Sequence, residues 1–223
     1  MSLILNIDTA LGRASICLSK NGEPLQSAVL EDQKDQSGWL HVAIDRVLKK
    51  NNTGPRDLSA IAVSIGPGSY TGLRVGLAAA KGLCYALQLP LIAVGTLKMM
   101  ALAAKEEAED LICPLIDARR MEVFTALYDY SLWEKVSPHA LIIDENSFTP
   151  ILTSHKVLFC GNGIKKLQPL IKTANASFSE SQTDATHLGI LSAAGFRNQE
   201  FADIAYTGPL YIKEFHSNAS SKS

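Results

Sequence analysis

The stretch Ala62–Gly82, AVSIGPGSYTGLRVGLAAAKG, constrains the fold more tightly than any other part of the chain. An apolar run ends in Gly66-Pro67-Gly68, and a helix of small residues follows. Strand, glycine turn and helix is also how many nucleotide enzymes hold a pyrophosphate. The spacing argues against that use. No lysine follows the glycines where a P-loop needs one, and Gly66, Gly68 and Gly72 read G-x-G-x-x-x-G, one residue longer than the dinucleotide fingerprint. Ser69 is placed to cap the helix, and the N–H groups of Tyr70, Thr71 and Gly72 would offer an anion site such as every helix start offers.

The helix predicted over Tyr70–Leu87 has few polar groups. Arg74, Lys81 and Gln88 recur every seventh residue and form one narrow stripe. A surface helix shows a wider polar face. Gly72, Gly76 and Ala80 fall at i, i+4 and i+8, a smooth groove that admits a close backbone, although a glycine inside a helix costs about 1 kcal/mol. Two readings stay open: a helix buried inside its own lobe, or one face on the sheet and another on a second chain. The second is preferred. The preceding helix supports it, because Leu40, Ile44, Val47 and Leu48 make a core stripe while Trp39, Val42 and Ala43 lie partly off it.

Around this centre the chain reads β-β-β-α-β-α-β-α. LILNIDTA, ASICLSK and EPLQSAVLE are strands, the last two joined by a hairpin turn at Asn21–Glu23. GWLHVAIDRVLKKN is a helix, AIAVSIG and LIAVG are buried parallel strands, and TLKMMALAAKEEA closes the half. LICPLIDAR, EVFTALYDY and KVSPHALII open the second half as another strand triplet. VLFCGNG, the helix IKKLQPLIKT, ASFSE and the helix ATHLGILSAAGFRNQ follow. Two related lobes are expected, residues 1–104 and 105–215, with a disordered polar tail over 216–223.

Other chemistry is sparse. The net charge of -1 supplies no field for nucleic acid. Four cysteines sit in apolar stretches without a CxxC and read as buried thiols of a reducing compartment. No apolar run is long enough to cross a membrane, and no signal peptide opens the chain. The five histidines show neither H-x-x-x-H nor H-E-x-x-H spacing, and no G-x-S-x-G elbow surrounds Ser69. Asp8 and Asp117 end corresponding strands of the two halves. With the Gly66 loop they would line a nucleotide cleft if the chain were an ATP-binding kinase or phosphatase of actin-like fold. Arg119 and Arg120, beside Asp117, would meet an anion or a carboxylate across an interface.

At ILNIDTA, IAVSIGPGSYTGLRVGLAAAKGLCYALQLPLIAVGTL and PLIDARRMEVFTALYD the order and spacing resemble the TsaB (YeaZ) family of bacterial tRNA threonylcarbamoyladenosine biosynthesis proteins. The likeness continues through FCGNGIKKL, ATHLGILSAAG and PLYIKEF, so it covers nearly the whole chain. It implies an α/β, actin/Hsp70-like fold of two ribonuclease H-like lobes with mixed β-sheets. It implies a cytoplasmic, non-catalytic subunit without cofactor, paired with a TsaD-like catalytic subunit and joined by a TsaE-like ATPase. That assembly transfers a threonylcarbamoyl group to the adenosine beside the tRNA anticodon, so tRNA is met only through the complex. Alone, the family forms homodimers through a similar surface. Carried over, the partner surface comprises Trp39, Val42, Ala43 and Arg46 on the first helix. On the second it comprises Tyr70, Gly72, Leu73, Arg74, Gly76, Leu77, Ala80, Lys81 and Cys84. One departure is Gln36-Ser37, where many members carry a histidine-serine pair.

Overall fold

A computed structural model describes residues 1–30 and 36–213. The first strands are β1 (Leu3–Leu11), β2 (Arg13–Lys20) and β3 (Glu23–Leu30), an antiparallel meander. Asn21 and Gly22 turn the second hairpin with φ of 55° and 96°, the two left-handed residues that such a tight turn needs. α1 (Gln36–Lys50) leads to β4 (Ala60–Gly66), α2 (Tyr70–Leu87), β5 (Leu91–Gly95) and α3 (Thr96–Ala104). β4 and β5 extend the sheet in parallel, giving the order β3-β2-β1-β4-β5.

The second half repeats this plan. β6 (Leu111–Asp117), β7 (Glu122–Asp129) and β8 (Glu134–Ile142) form the meander. α4 (Thr149–Leu152), β9 (Val157–Cys160), α5 (Ile164–Leu167), β10 (Ala176–Ser179) and α6 (Ala185–Arg197) complete the order. The sheet runs β8-β7-β6-β9-β10, with β9 parallel to β6 and to β10. Each strand therefore has its counterpart in the other lobe. The helices do not match in length. α5 stops at Leu167 because Pro169 follows and disfavours helix at the residue before it. The run expected to continue α3 to Ala108 tightens into a 3-10 turn over Lys105–Glu107.

Packing sorts the helices by sheet. α1 and α2 cover one face of the first sheet, where Leu40, Ile44, Val47 and Leu77 meet Leu5, Ile7, Ile16 and Leu18. On the other face, Leu188 of α6 and Met99 of α3 join Ile4, Ala60, Ala62 and Ile92. The second sheet packs Leu115 and Phe159 against Ile164, Leu167, Phe148 and Leu152. Its other face receives Leu97, Met100, Ala101 and Ala104 of α3. α3 thus contributes to a core of each sheet, and α6, which follows the second sheet in sequence, lies on the first. A boundary at residue 104 separates the sheets but not the helices that cover them.

A buried polar bond fixes α6 in place. Ser192 Oγ donates to Asn6 Oδ1 at 2.6 Å, while Asn6 Nδ2 donates to Ile4 O, Cys17 O and Ser19 Oγ. At its start, Asp184 accepts from Thr186 N–H at 2.8 Å and caps the helix. The tail expected over 216–223 lies outside the described residues.

Candidate partner-docking surface

α2 begins where the sequence places it. Ser69 Oγ accepts from Gly72 N–H at 3.2 Å, and Ser69 N–H donates to Ala10 O at 2.7 Å. The Gly72 N–H is thus engaged within the chain. Three glycines, Gly68, Gly72 and Gly76, are explained by the end of β1. A Cβ on Gly68 would overlap Ala10 O, one on Gly72 would overlap Thr9 O, and one on Gly76 would overlap Thr9 Oγ1. Thr9 Oγ1 donates to Gly72 O at 2.7 Å, so the end of β1 is bonded to the first turns of α2. The backbone that these small residues admit belongs to this chain. The expectation that Gly72, Gly76 and Ala80 meet a partner is corrected accordingly, because the close approach is what lets α2 seal the sheet. Ala43, Leu73, Leu77 and Cys84 are buried with them and are core residues.

The polar stripe is also occupied. Arg74 Nε donates to Tyr211 Oη at 2.9 Å, and its guanidinium sits 3.8 Å over the Tyr70 ring. Lys81 Nζ donates to Thr207 O at 3.0 Å and Ala205 O at 3.5 Å. Leu210 N–H donates to Ile65 O at 2.6 Å, and Leu210 closes over Gly66. Residues 205–211 therefore run along α2 as a strap, and Tyr70, Arg74 and Lys81 hold it. Sequence reasoning did not foresee the strap, whose backbone bonds carry no residue pattern.

What stays open lies on the remaining face of the two helices. Val42 is 48% exposed, Arg46 is exposed, and Trp39 is half-buried against the first core. A shallow groove of about 490 Å³ runs between α1 and α2, lined by Ser37, His41, Val75, Ala78, Ala79, Gly82 and Leu83. Tyr85 stands beside these α2 positions, 75% exposed. The sequence carried this signal: Val75, Ala78, Gly82 and Tyr85 recur at helical spacing as a second small and apolar stripe. Gly82 is the informative residue. A Cβ there would meet nothing within 4 Å, so among the described residues no packing requires a glycine in the middle of that helix.

The candidate catalytic carboxylates are each engaged locally. Asp8 accepts from Ser64 Oγ at 2.6 Å and Ala10 N–H at 3.1 Å, and burial pushes its carboxyl up from the ordinary value. Asp117 is paired with Lys166 Nζ at 2.6 Å, and that bond holds its carboxyl down. Leu210 packs on the Gly66 turn. Among the described residues no group of three or more His, Cys, Asp or Glu side chains is placed to hold a metal ion. No helix among those residues is long and apolar enough to cross a membrane.

Comparison with known proteins decides the family. Residues 31–209 match the family model described as TsaD, tRNA N6-adenosine threonylcarbamoyltransferase. The tRNA threonylcarbamoyladenosine biosynthesis protein TsaB of Bacillus subtilis is 31% identical over 215 residues, covering 94% of this chain and 93% of that protein. The chain belongs to the TsaB family. A tRNA N6-adenosine threonylcarbamoyltransferase of Streptococcus pyogenes is 33% identical over 129 residues, 51% of this chain and 37% of the longer enzyme. The solved structure of YeaZ from Pseudomonas aeruginosa superposes with a TM-score of 0.82 at 25% identity, covering 95% of this chain and all of that one. The two mixed-sheet lobes of this TsaB-family chain are of the actin/Hsp70-like type.

Proposed function

We propose that this chain is the non-catalytic subunit of an assembly that transfers a threonylcarbamoyl group to the adenosine beside the tRNA anticodon. It acts in the cytoplasm by presenting the α1–α2 groove to a TsaD-like catalytic subunit. A TsaE-like ATPase joins that pair, and tRNA is met only through the complex. Without its partner, a second copy of the chain covers the same groove. Membership of the TsaB family supports the pathway, and the likeness to threonylcarbamoyltransferases supports a partner built on the same plan.

One observation carries the surface: Gly82 is a glycine that packing among the described residues does not use, in an apolar groove that none of them covers. A helix interior gains about 1 kcal/mol from alanine in place of glycine. Keeping glycine there makes sense where another molecule approaches the helix backbone. Val75 and Ala78 widen the apolar contact, and Tyr85 adds an aromatic of the kind enriched at interface centres. Trp39, Val42 and Arg46 extend the surface along α1.

The test is size-exclusion chromatography with light scattering, with and without a TsaD-like subunit. Ala78→Glu places a carboxylate in the apolar groove without touching the core. Loss of the heterodimer with an unchanged melting temperature supports the reading. A heterodimer that survives in the folded variant refutes it.

A further inference from the structure

The two lobes enclose a second cavity of about 490 Å³, distinct from the helix groove. Its walls come from the β1–β2 turn, α3, the β9–α5 segment and the chain between β10 and α6. Leu11, Met100 and Ile164 supply apolar surface, which suits a ligand that is not polar all round.

Three polar features point to what fills it. Lys165 and Glu180 line the cavity, and neither makes an ion pair or hydrogen bond with any described residue. Elsewhere in this lobe opposite charges meet directly, as Lys156 and Glu109 do at 2.5 Å and Lys166 and Asp117 at 2.6 Å. Thr183 Oγ1 is buried without a hydrogen-bond partner, a costly state unless something in the cavity completes it. Asn162 Oδ1 accepts from Asp117 N–H at 2.8 Å, which leaves its NH₂ group as a donor. Arg13, a second cation on the wall, is already engaged, which leaves Lys165 and Glu180 as an unanswered cation and anion that suit a molecule carrying both charges. A purely anionic ligand would leave Glu180 unanswered and repelled.

We propose that this cavity binds a free α-amino acid. Its carboxylate lies on Lys165 and the Asn162 amide, its ammonium on Glu180, and Thr183 Oγ1 completes a further polar contact. The reading is independent of the docking surface, whose test is association with a second chain.

The experiment is saturation-transfer NMR and calorimetry on the full chain. The probes are L-alanine, L-serine, L-threonine and L-glutamine at millimolar concentration, with acetate and methylammonium as single-charge controls. At least one amino acid binds while neither control does. Lys165→Gln and Glu180→Gln each weaken that binding about tenfold, the loss of one charge-assisted bond. Both residues are exposed, so the variants fold and melt as the parent does. Thr183→Val, which removes the orphan hydroxyl at constant shape, raises the melting temperature and weakens binding. The proposal is overturned if no amino acid binds, if acetate binds equally well, or if neither charge variant changes the affinity.

Discussion

Two glycines on one helix, Gly76 and Gly82, should respond to the same substitution with opposite sign. Gly82→Ala adds a methyl group where nothing lies within 4 Å. The helix gains its propensity difference, about 0.8–1.0 kcal/mol, with no strain to set against it. For a chain of this size that raises the melting temperature by roughly 2–4 °C. At Gly76 the new methyl lands on Thr9 Oγ1, which is already donating to Gly72 O in a buried contact. Overpacking costs about 1–3 kcal/mol, and a broken buried bond costs about as much again. After the propensity gain, Gly76→Ala should destabilise by on the order of 1–5 kcal/mol. The assay is reversible thermal or urea unfolding of the isolated chain, followed by light scattering of each variant with the TsaD-like subunit. Gly82→Ala should come out more stable yet weaker in association. If Gly82→Ala destabilises the chain, the groove is filled by something within it and the reasoning fails. If it stabilises without weakening association, the partner does not need the glycine.

Further outcomes follow from the buried groups. Asp8→Asn keeps an acceptor oxygen for Ser64 Oγ and Ala10 N–H, both of which bond to one carboxylate oxygen. Because burial raises the folded-state pKa above the ordinary carboxylate value, stability contributed at low pH is lost as pH rises through the folded value. The variant should therefore gain stability relative to the parent at neutral pH and not below pH 3.8, read from unfolding curves across pH. Asp184→Ala removes the cap that starts α6 and should cost about 1 kcal/mol, more if α6 detaches from the first sheet. The four cysteines are buried, with burial pushing Cys17 and Cys113 up to about 12 and Cys84 to about 11. A thiol reagent at pH 8 should leave them unmodified in the folded chain and titrate all four after denaturation.

The strands were legible because their signals are local. β4, α2 and β5 begin and end where the apolar runs, the Ser69 cap and the prolines and glycines put them. The repeat of the strand triplet foretold two lobes of one plan. The site was legible only in part. α2 carries two small-residue stripes, Gly72–Gly76–Ala80 and Ala78–Gly82, and helical periodicity alone does not say which one faces the sheet. The deciding contact is Thr9, over sixty residues away, whose hydroxyl reads as turn chemistry in the sequence. The strap over Arg74 and Lys81 was hidden for a similar reason, since Lys81 bonds to backbone carbonyls and any residue supplies those.

The exchange of helices between the sheets bears on what kind of molecule this is. Leu97 and Met100 of α3 belong to a core of the second sheet, whereas Met99, between them in sequence, belongs to a core of the first. Rotating one sheet against the other would pull a nine-residue helix out of one core or the other. Each large apolar side chain so exposed costs about 1.5–3 kcal/mol. Ser192 bonded to Asn6 holds α6 on the first sheet, so α6 moves with that sheet. A chain that works by opening and closing its lobes would be expected to keep such contacts few. Here they are built into α3, which suits a subunit that offers a fixed surface along α1 and α2.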